Sequence, residues 1–299
     1  MTHQQRFSIG SAEDRIALVQ WGAAGKPPAL LLHGTSFCAD VWDELADDLA
    51  ADYTVIALDR RGHGESHKPA ADRYHFIDYA EDLCRVIDAL DLRGIYGIGH
   101  SAGATDLLLA AKLLPQRFSQ LFVMEPTAMN PRAARDAELS EGGRFSVEGV
   151  LRRQAEFDSF DAAFKRFRAA PAFANWTEAS LRAFIRHGFL ALEGGRLRLR
   201  CTPEIESAVL RPIIETMEQI YKGDARGNPF TWFTEIDCPV RVTTSEKSWR
   251  IYKDMASRAV SLIPDVSRLQ FDGFDHCVVQ EAPQLVLGAL REFAPATAK

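Results

Sequence analysis

Ser101 lies between two glycines in the run "GIGHSAG", where Gly99, His100, Ser101, Ala102 and Gly103 spell G-x-S-x-G. Five loosely specified residues carry little weight alone; a buried apolar strand before them and an apolar helix after them give the pattern its content. In such an elbow the serine occupies a strained turn, and the glycines remove side chains that would clash. The turn also sets Ser101 at a helix N-terminus, whose partial positive charge favours the anion that develops in acyl transfer. A serine hydroxyl stays a poor nucleophile until a base takes its proton. Of the eight histidines, His276 alone lies beyond the last expected strand, "SRLQFD", in a loop at the sheet edge that also carries Ser101. His100 adjoins the serine, but successive residues point apart at a tight elbow, which makes it the weaker base.

A histidine that takes up a proton is steadied by a carboxylate. Glu125 closes the buried apolar run "LFVMEP", at the carboxyl-end edge where ligands gather in open sheets. Pro126 disfavours helix at Glu125 and is expected to keep it extended. A glutamate ending a buried run needs a partner, because an unpaired buried charge is costly, and an imidazole would supply one. Competing roles are a salt bridge to the following segment or a cap on its first helical turn. The rival acid is Glu246, in "CPVRVTTSEKSW", which only a reshaped loop would bring to the histidine.

The elements that must position these groups alternate. Strand patterns occur in "RIALVQWG", "KPPALLLHG" and "YTVIALDRRGHG", with helical spacing in "ADVWDELADDLAAD" and "FIDYAEDLCRVIDALDL". After the elbow the alternation resumes with "FSQLFVMEP", "CPVRVTT" and "VSRLQFDGFDH", then a helix near "APQLVLGALREFA". Strands alternating with helices imply a parallel sheet with helices on both faces. Residues 127–235 break the alternation with a mostly helical pattern rich in phenylalanine, the signature of a cap folded over the strand ends. There Phe157, Phe160, Phe164 and Phe167 recur at helical spacing and form one expected stripe, joined by Phe145, Phe173, Trp176, Phe184 and Phe189. Most of these rings are expected to pack the cap, with two or three facing an apolar substrate group. In "GGRLRLRC", Arg196, Arg198 and Arg200 alternate with leucines on a short exposed strand; a solvated face is the plain reading and a phosphate clamp the sharper one. His187 reads as packing or a local hydrogen bond.

Bulk properties fit one large α/β unit in 299 residues, 46% hydrophobic and 25% charged. A net charge of −6 argues against nucleic acid as a partner. No apolar run is long enough for a membrane span, and the polar start lacks a signal core, so a cytoplasmic protein is expected. Five scattered cysteines without C-x-x-C spacing read as free buried thiols, not as a zinc or disulfide framework. Oligomeric state is open, a homodimer included.

The runs "LLLHGTS", "LDRRGHGESHKP", "GHSAG" and "GFDH", in that order, resemble the α/β-hydrolase family over nearly the whole chain. The resemblance implies a mostly parallel sheet with flanking helices, its core formed by residues 1–126 and 236–299, with a helical lid at 127–235 inserted after strand six. It implies Ser101 as nucleophile, His276 as base, and backbone N–H groups of Thr35 and Ala102 as the oxyanion hole. His33, Gly62, Gly64 and Asp59 take loop-shaping roles. The common family pattern sets an aspartate where Ser248 stands, and a serine cannot stabilise an imidazolium by charge. The placement of Glu125 instead resembles hydrolases with their acid after strand six, among them some haloalkane dehalogenases and zearalenone-type lactonases. Since Ser101 replaces the dehalogenases' aspartate nucleophile, dehalogenation and aspartate-type epoxide hydrolysis are disfavoured. The implied reaction is hydrolysis of a carboxylic ester or lactone through an acyl-serine, with no metal and no organic cofactor. Thioester hydrolysis, carbon–carbon bond hydrolysis and a hydrolase-fold ligand receptor are the alternatives.

Overall fold

The computed structural model describes residues 4–129, 147–221 and 228–294. Phe145 lies outside them. The first half of the chain forms β1 (Gln4–Ile9), β2 (Ile16–Trp21), β3 (Pro28–Leu32), α1 (Asp43–Leu49), β4 (Thr54–Leu58), α2 (Phe76–Ala89), β5 (Ile95–His100), α3 (Ala102–Leu113) and β6 (Phe118–Met124). Next come α4 (Val147–Leu151), β7 (Glu156–Phe157), α5 (Phe160–Arg168), α6 (Glu178–His187), β8 (Phe189–Ala191), β9 (Leu197–Leu199) and α7 (Pro203–Tyr221). The chain closes with β10 (Val240–Ser245), α8 (Arg250–Leu262), β11 (Val266–Phe271), α9 (Val278–Glu281) and α10 (Pro283–Phe293).

Eight strands make one sheet in the order β1-β2-β4-β3-β5-β6-β10-β11. The β1–β2 and β2–β4 pairings are antiparallel, and the rest are parallel. Period-two alternation builds a core on each face. Leu30, Leu32, Ile56 and Leu58 join the cluster beneath α2, α3 and α8, while Ala29, Leu31, Val55 and Ala57 join the one beneath α1 and α10. With both faces covered, β4 is buried at every residue. Leu30, Leu31 and Leu32 are sealed off completely, and each such side chain contributes about 1.5–3 kcal/mol over an exposed one. Strand β1 escaped the sequence reading because it is a largely exposed edge without a strong apolar alternation.

Between β6 and β10, helices α4–α7 accompany a separate three-stranded sheet, β7-β9-β8. The phenylalanine stripe is split: Ser159 caps α5 by accepting the Ala162 N–H at 3.1 Å, so Phe160, Phe164 and Phe167 are helical while Phe157 sits on β7. Core and inserted segment are joined by Ser180 Oγ donating to Glu44 at 2.9 Å and by Arg200 pairing with Glu65 at 3.0 Å. Among the described residues no helix is long and apolar enough to cross a membrane.

Candidate active site

Strand register sets the site's frame. His100 pairs with Met124 across β5 and β6, and Met124 pairs with Thr243 across β6 and β10. Ser101 and Glu125, each one residue further on, therefore leave neighbouring parallel strands at the same level. Ser101 has φ 54° and ψ −120°, a strained conformation that begins α3, and its N–H donates to Met124 O at 2.8 Å. Tight packing holds the elbow in place. A Cβ on Gly103 would lie 2.5 Å from Leu32 O and from His33 O, and one on Gly34 would lie 3.3 Å from Ser101 Cβ. The turn carrying Thr35 thus abuts the first turn of α3, where Ala102 is the first helical residue.

Two histidines shape that turn. His33 Nδ1 donates to Gly34 O at 2.7 Å and its Nε2 accepts Arg60 N–H at 3.1 Å. Burial, assisted by the Arg60 charge, pushes it down to about 3, so it is neutral. His63 Nε2 accepts the Ser36 N–H at 2.9 Å. Asp59 braces the adjoining loop, accepting Ala39 N–H and Glu65 N–H, each at 2.8 Å.

Glu125 is 2% exposed. Its Oε1 accepts the Ser245 N–H at 2.8 Å; its Oε2 accepts the Ser248 hydroxyl at 2.7 Å and bonds His276 Nδ1 at 2.5 Å. Its backbone corrects the sequence expectation. Glu125 is left-handed, φ 47°, and not extended. Such a conformation costs about 1–3 kcal/mol outside glycine. Three bonds hold it there: the carboxylate's two to Ser245 and Ser248, and Glu125 N–H to Thr243 O at 3.0 Å. Glu246 turns elsewhere and accepts the Gly273 N–H at 2.7 Å. Ser248 holds the glutamate that bonds the histidine, a role invisible in sequence because it depends on a contact 123 positions away.

His276 also stacks on Tyr252, ring centroids 3.8 Å apart and 10° from parallel, with His100 at 4.6 Å and 49°. His100 Nε2 donates to the His276 carbonyl at 2.9 Å. Burial and then the neighbouring His276 push His100 well below the usual imidazole range, which keeps it neutral. Among the described residues, no hydrogen bond joins Ser101 Oγ to His276.

Phe37 follows the turn carrying Thr35 and links the site to the inserted aromatics, meeting Phe173, Trp176 and Phe184 at 5.0–6.1 Å. Phe157, Trp176, Phe184 and Phe189 are buried, while Phe160, Phe164, Phe167 and Phe173 are partly buried. Of the three arginines on and beside β9, Arg196 pairs with Glu156 and Arg200 with Glu65, leaving Arg198 exposed. His187 Nδ1 lies 3.6 Å from Asp40 Oδ1, but burial pushes it down to about 4, so the contact is not an ion pair.

An open, mostly parallel sheet with a strained serine at one strand end and a histidine–carboxylate pair beside it defines a hydrolase-type fold. The chain belongs to the alpha/beta hydrolase family, whose fold model matches residues 27–283. It is 25% identical over 299 residues to a 2-(acetamidomethylene)succinate hydrolase of Mesorhizobium japonicum, covering 98% of this chain and 95% of the relative. It is 27% identical over 274 residues to a non-heme chloroperoxidase of Streptomyces lividans, covering 89% and 91%. Among solved structures, the thioesterase domain from the curacin biosynthetic pathway superposes with TM-score 0.77 at 20% identity, covering 97% of this chain and 99% of that one.

Proposed function

We propose that the protein is a serine hydrolase that cleaves a carboxylic ester or lactone bearing an apolar group through an acyl-serine intermediate. One observation carries this reading: the buried Glu125 carboxylate meets His276 Nδ1 at 2.5 Å beside the strained Ser101 elbow. With Nδ1–H directed at Glu125, Nε2 is the bare nitrogen that takes a proton. Ser101 Oγ attacks the substrate carbonyl as His276 accepts its proton, and Glu125 stabilises the imidazolium. The Thr35 and Ala102 N–H groups receive the oxyanion; a single donor of this kind is worth about 3–4 kcal/mol. Collapse breaks the bond to the leaving alkoxide, which takes the proton from His276. Water, deprotonated by His276, then attacks the acyl carbonyl, and collapse breaks the bond to Ser101 Oγ, which takes the proton back from His276 as the acid is released. In this reading the serine–histidine hydrogen bond forms when substrate binds.

Residues 127–235 act as a lid in this reading, and Phe37 with Phe173 and Trp176 supports an apolar acyl or alcohol group. The arginine pairings on β9 count against a phosphate clamp there. The test is labelling by a fluorophosphonate, followed by turnover of short-chain p-nitrophenyl esters. Stoichiometric labelling that Ser101→Ala abolishes, together with turnover, is expected. Turnover undiminished in Ser101→Ala would end the proposal; labelling without turnover would favour a ligand receptor.

A further inference from the structure

The turn that follows β10 brings two side chains to the acid–base pair from one short piece of chain. Ser248, 4% exposed, donates its hydroxyl to Glu125 Oε2, the oxygen that also bonds His276. Four residues later Tyr252, in the first turn of α8, lays its ring on His276 at 3.8 Å and 10°. Trp249, between them, stacks on Tyr252 at 5.9 Å and 17°. We propose that this turn clamps the pair at two points, Ser248 fixing the aim of Glu125 and Tyr252 fixing the ring of His276, both as positioning residues for the hydrolysis proposed above, on which this inference rests.

The physical case has three parts. A glutamate side chain has three rotatable bonds, and the Ser245 N–H secures Oε1 alone; Ser248 fixes the second oxygen. An imidazole bonded at Nδ1 can still swing about that bond. Between Tyr252 on one contact and His100 on another it loses that freedom, and Nε2 keeps one direction. Finally, an imidazolium over a tyrosine face is attracted by the ring quadrupole, a gain present only while the proton is on the histidine.

Ser248→Ala, Tyr252→Leu, Tyr252→Phe and the Ser248→Ala/Tyr252→Leu double variant test the clamp. The readouts are kcat, KM, fluorophosphonate labelling rate of Ser101, and the low-field proton resonance of His276 Nδ1–H in the resting protein. Ser248→Ala and Tyr252→Leu should each lower kcat about tenfold with KM changed less than about twofold, because orientation and not binding is lost. Tyr252→Phe should recover to within about threefold, since the ring is what stacks. The double variant should lose less than the product of the single losses, as expected of residues acting on one pair. The resonance should broaden or vanish in Tyr252→Leu. A folded Tyr252→Leu with unchanged kcat and an intact resonance overturns the clamp, as does a Phe variant as impaired as the Leu one. Tyr252→Met replaces Tyr252→Leu if the latter does not fold. A wild type without labelling or turnover sinks the hydrolase reading instead, while the resonance still reports whether Tyr252 holds the ring.

Discussion

Glu125 and Asp106 are both acids sealed inside the protein, 2% and 1% exposed, and they have opposite kinds of partner. Asp106, on α3, faces Arg60, which donates through Nε at 2.5 Å and Nη2 at 3.2 Å and stacks over the Tyr79 ring at 4.1 Å. An arginine does not give up its proton, so Asp106 faces a permanent cation. Glu125 faces the imidazole of His276, a ring that can carry its proton on either nitrogen. Its remaining bonds come from a backbone N–H and a hydroxyl, which hold the carboxylate without cancelling its charge. A buried acid opposite a permanent cation serves the fold; one opposite an imidazole is placed where a proton can be passed.

The sharpest way to break that contrast is Glu125→Gln. It should lower the acylation rate by about 10⁴, the loss seen when a triad acid becomes an amide. Rapid-quench labelling of Ser101 checks it, and Glu246→Gln in parallel should change the rate little. Asp106→Asn should do the converse, removing about 3–5 kcal/mol of stability by leaving Arg60 buried without its counter-charge. Urea unfolding measures this, and activity per folded molecule should stay near wild type. Replacing both partners, Arg60→Met with Asp106→Leu, should return most of the stability.

A third acid gives an effect that varies with pH. Burial, and then the charge of Asp40, pushes Asp43 up to about 7, with Arg6 opposing. Its folded pKa exceeds the ordinary 3.8, so the stability gained from holding that proton is lost as pH rises through about 7. Asp43→Asn should therefore gain thermal stability over wild type progressively between those two values and hold a constant advantage above them. Melting temperatures across pH 4–9 would show it.

Much of this was legible in the chain. The apolar runs place the strands, the glycines flanking Ser101 mark the elbow, and Glu125 stands out as the acid that closes a buried apolar run. What stayed hidden depends on contacts between distant segments. Glu125 looks extended in sequence because Pro126 excludes helix there; bonds from β10 decide its left-handed turn. Ser248 reads as a missing acid, and nothing in the sequence marks Tyr252, until the fold sets them against Glu125 and His276. Phe157 matches the helical spacing of its neighbours, yet Ser159 starts the helix two residues later.

The His100–Met124 rung has a further bearing on how this molecule could change. Because residues 101 and 125 grow from adjacent rungs of one hydrogen-bonded ladder, the gap between hydroxyl and carboxylate behaves as a ruler whose graduations are whole residues. Loop exchange cannot lengthen it by half a step. Any change in that spacing would have to come from the strand pairing itself, not from the segments laid over it.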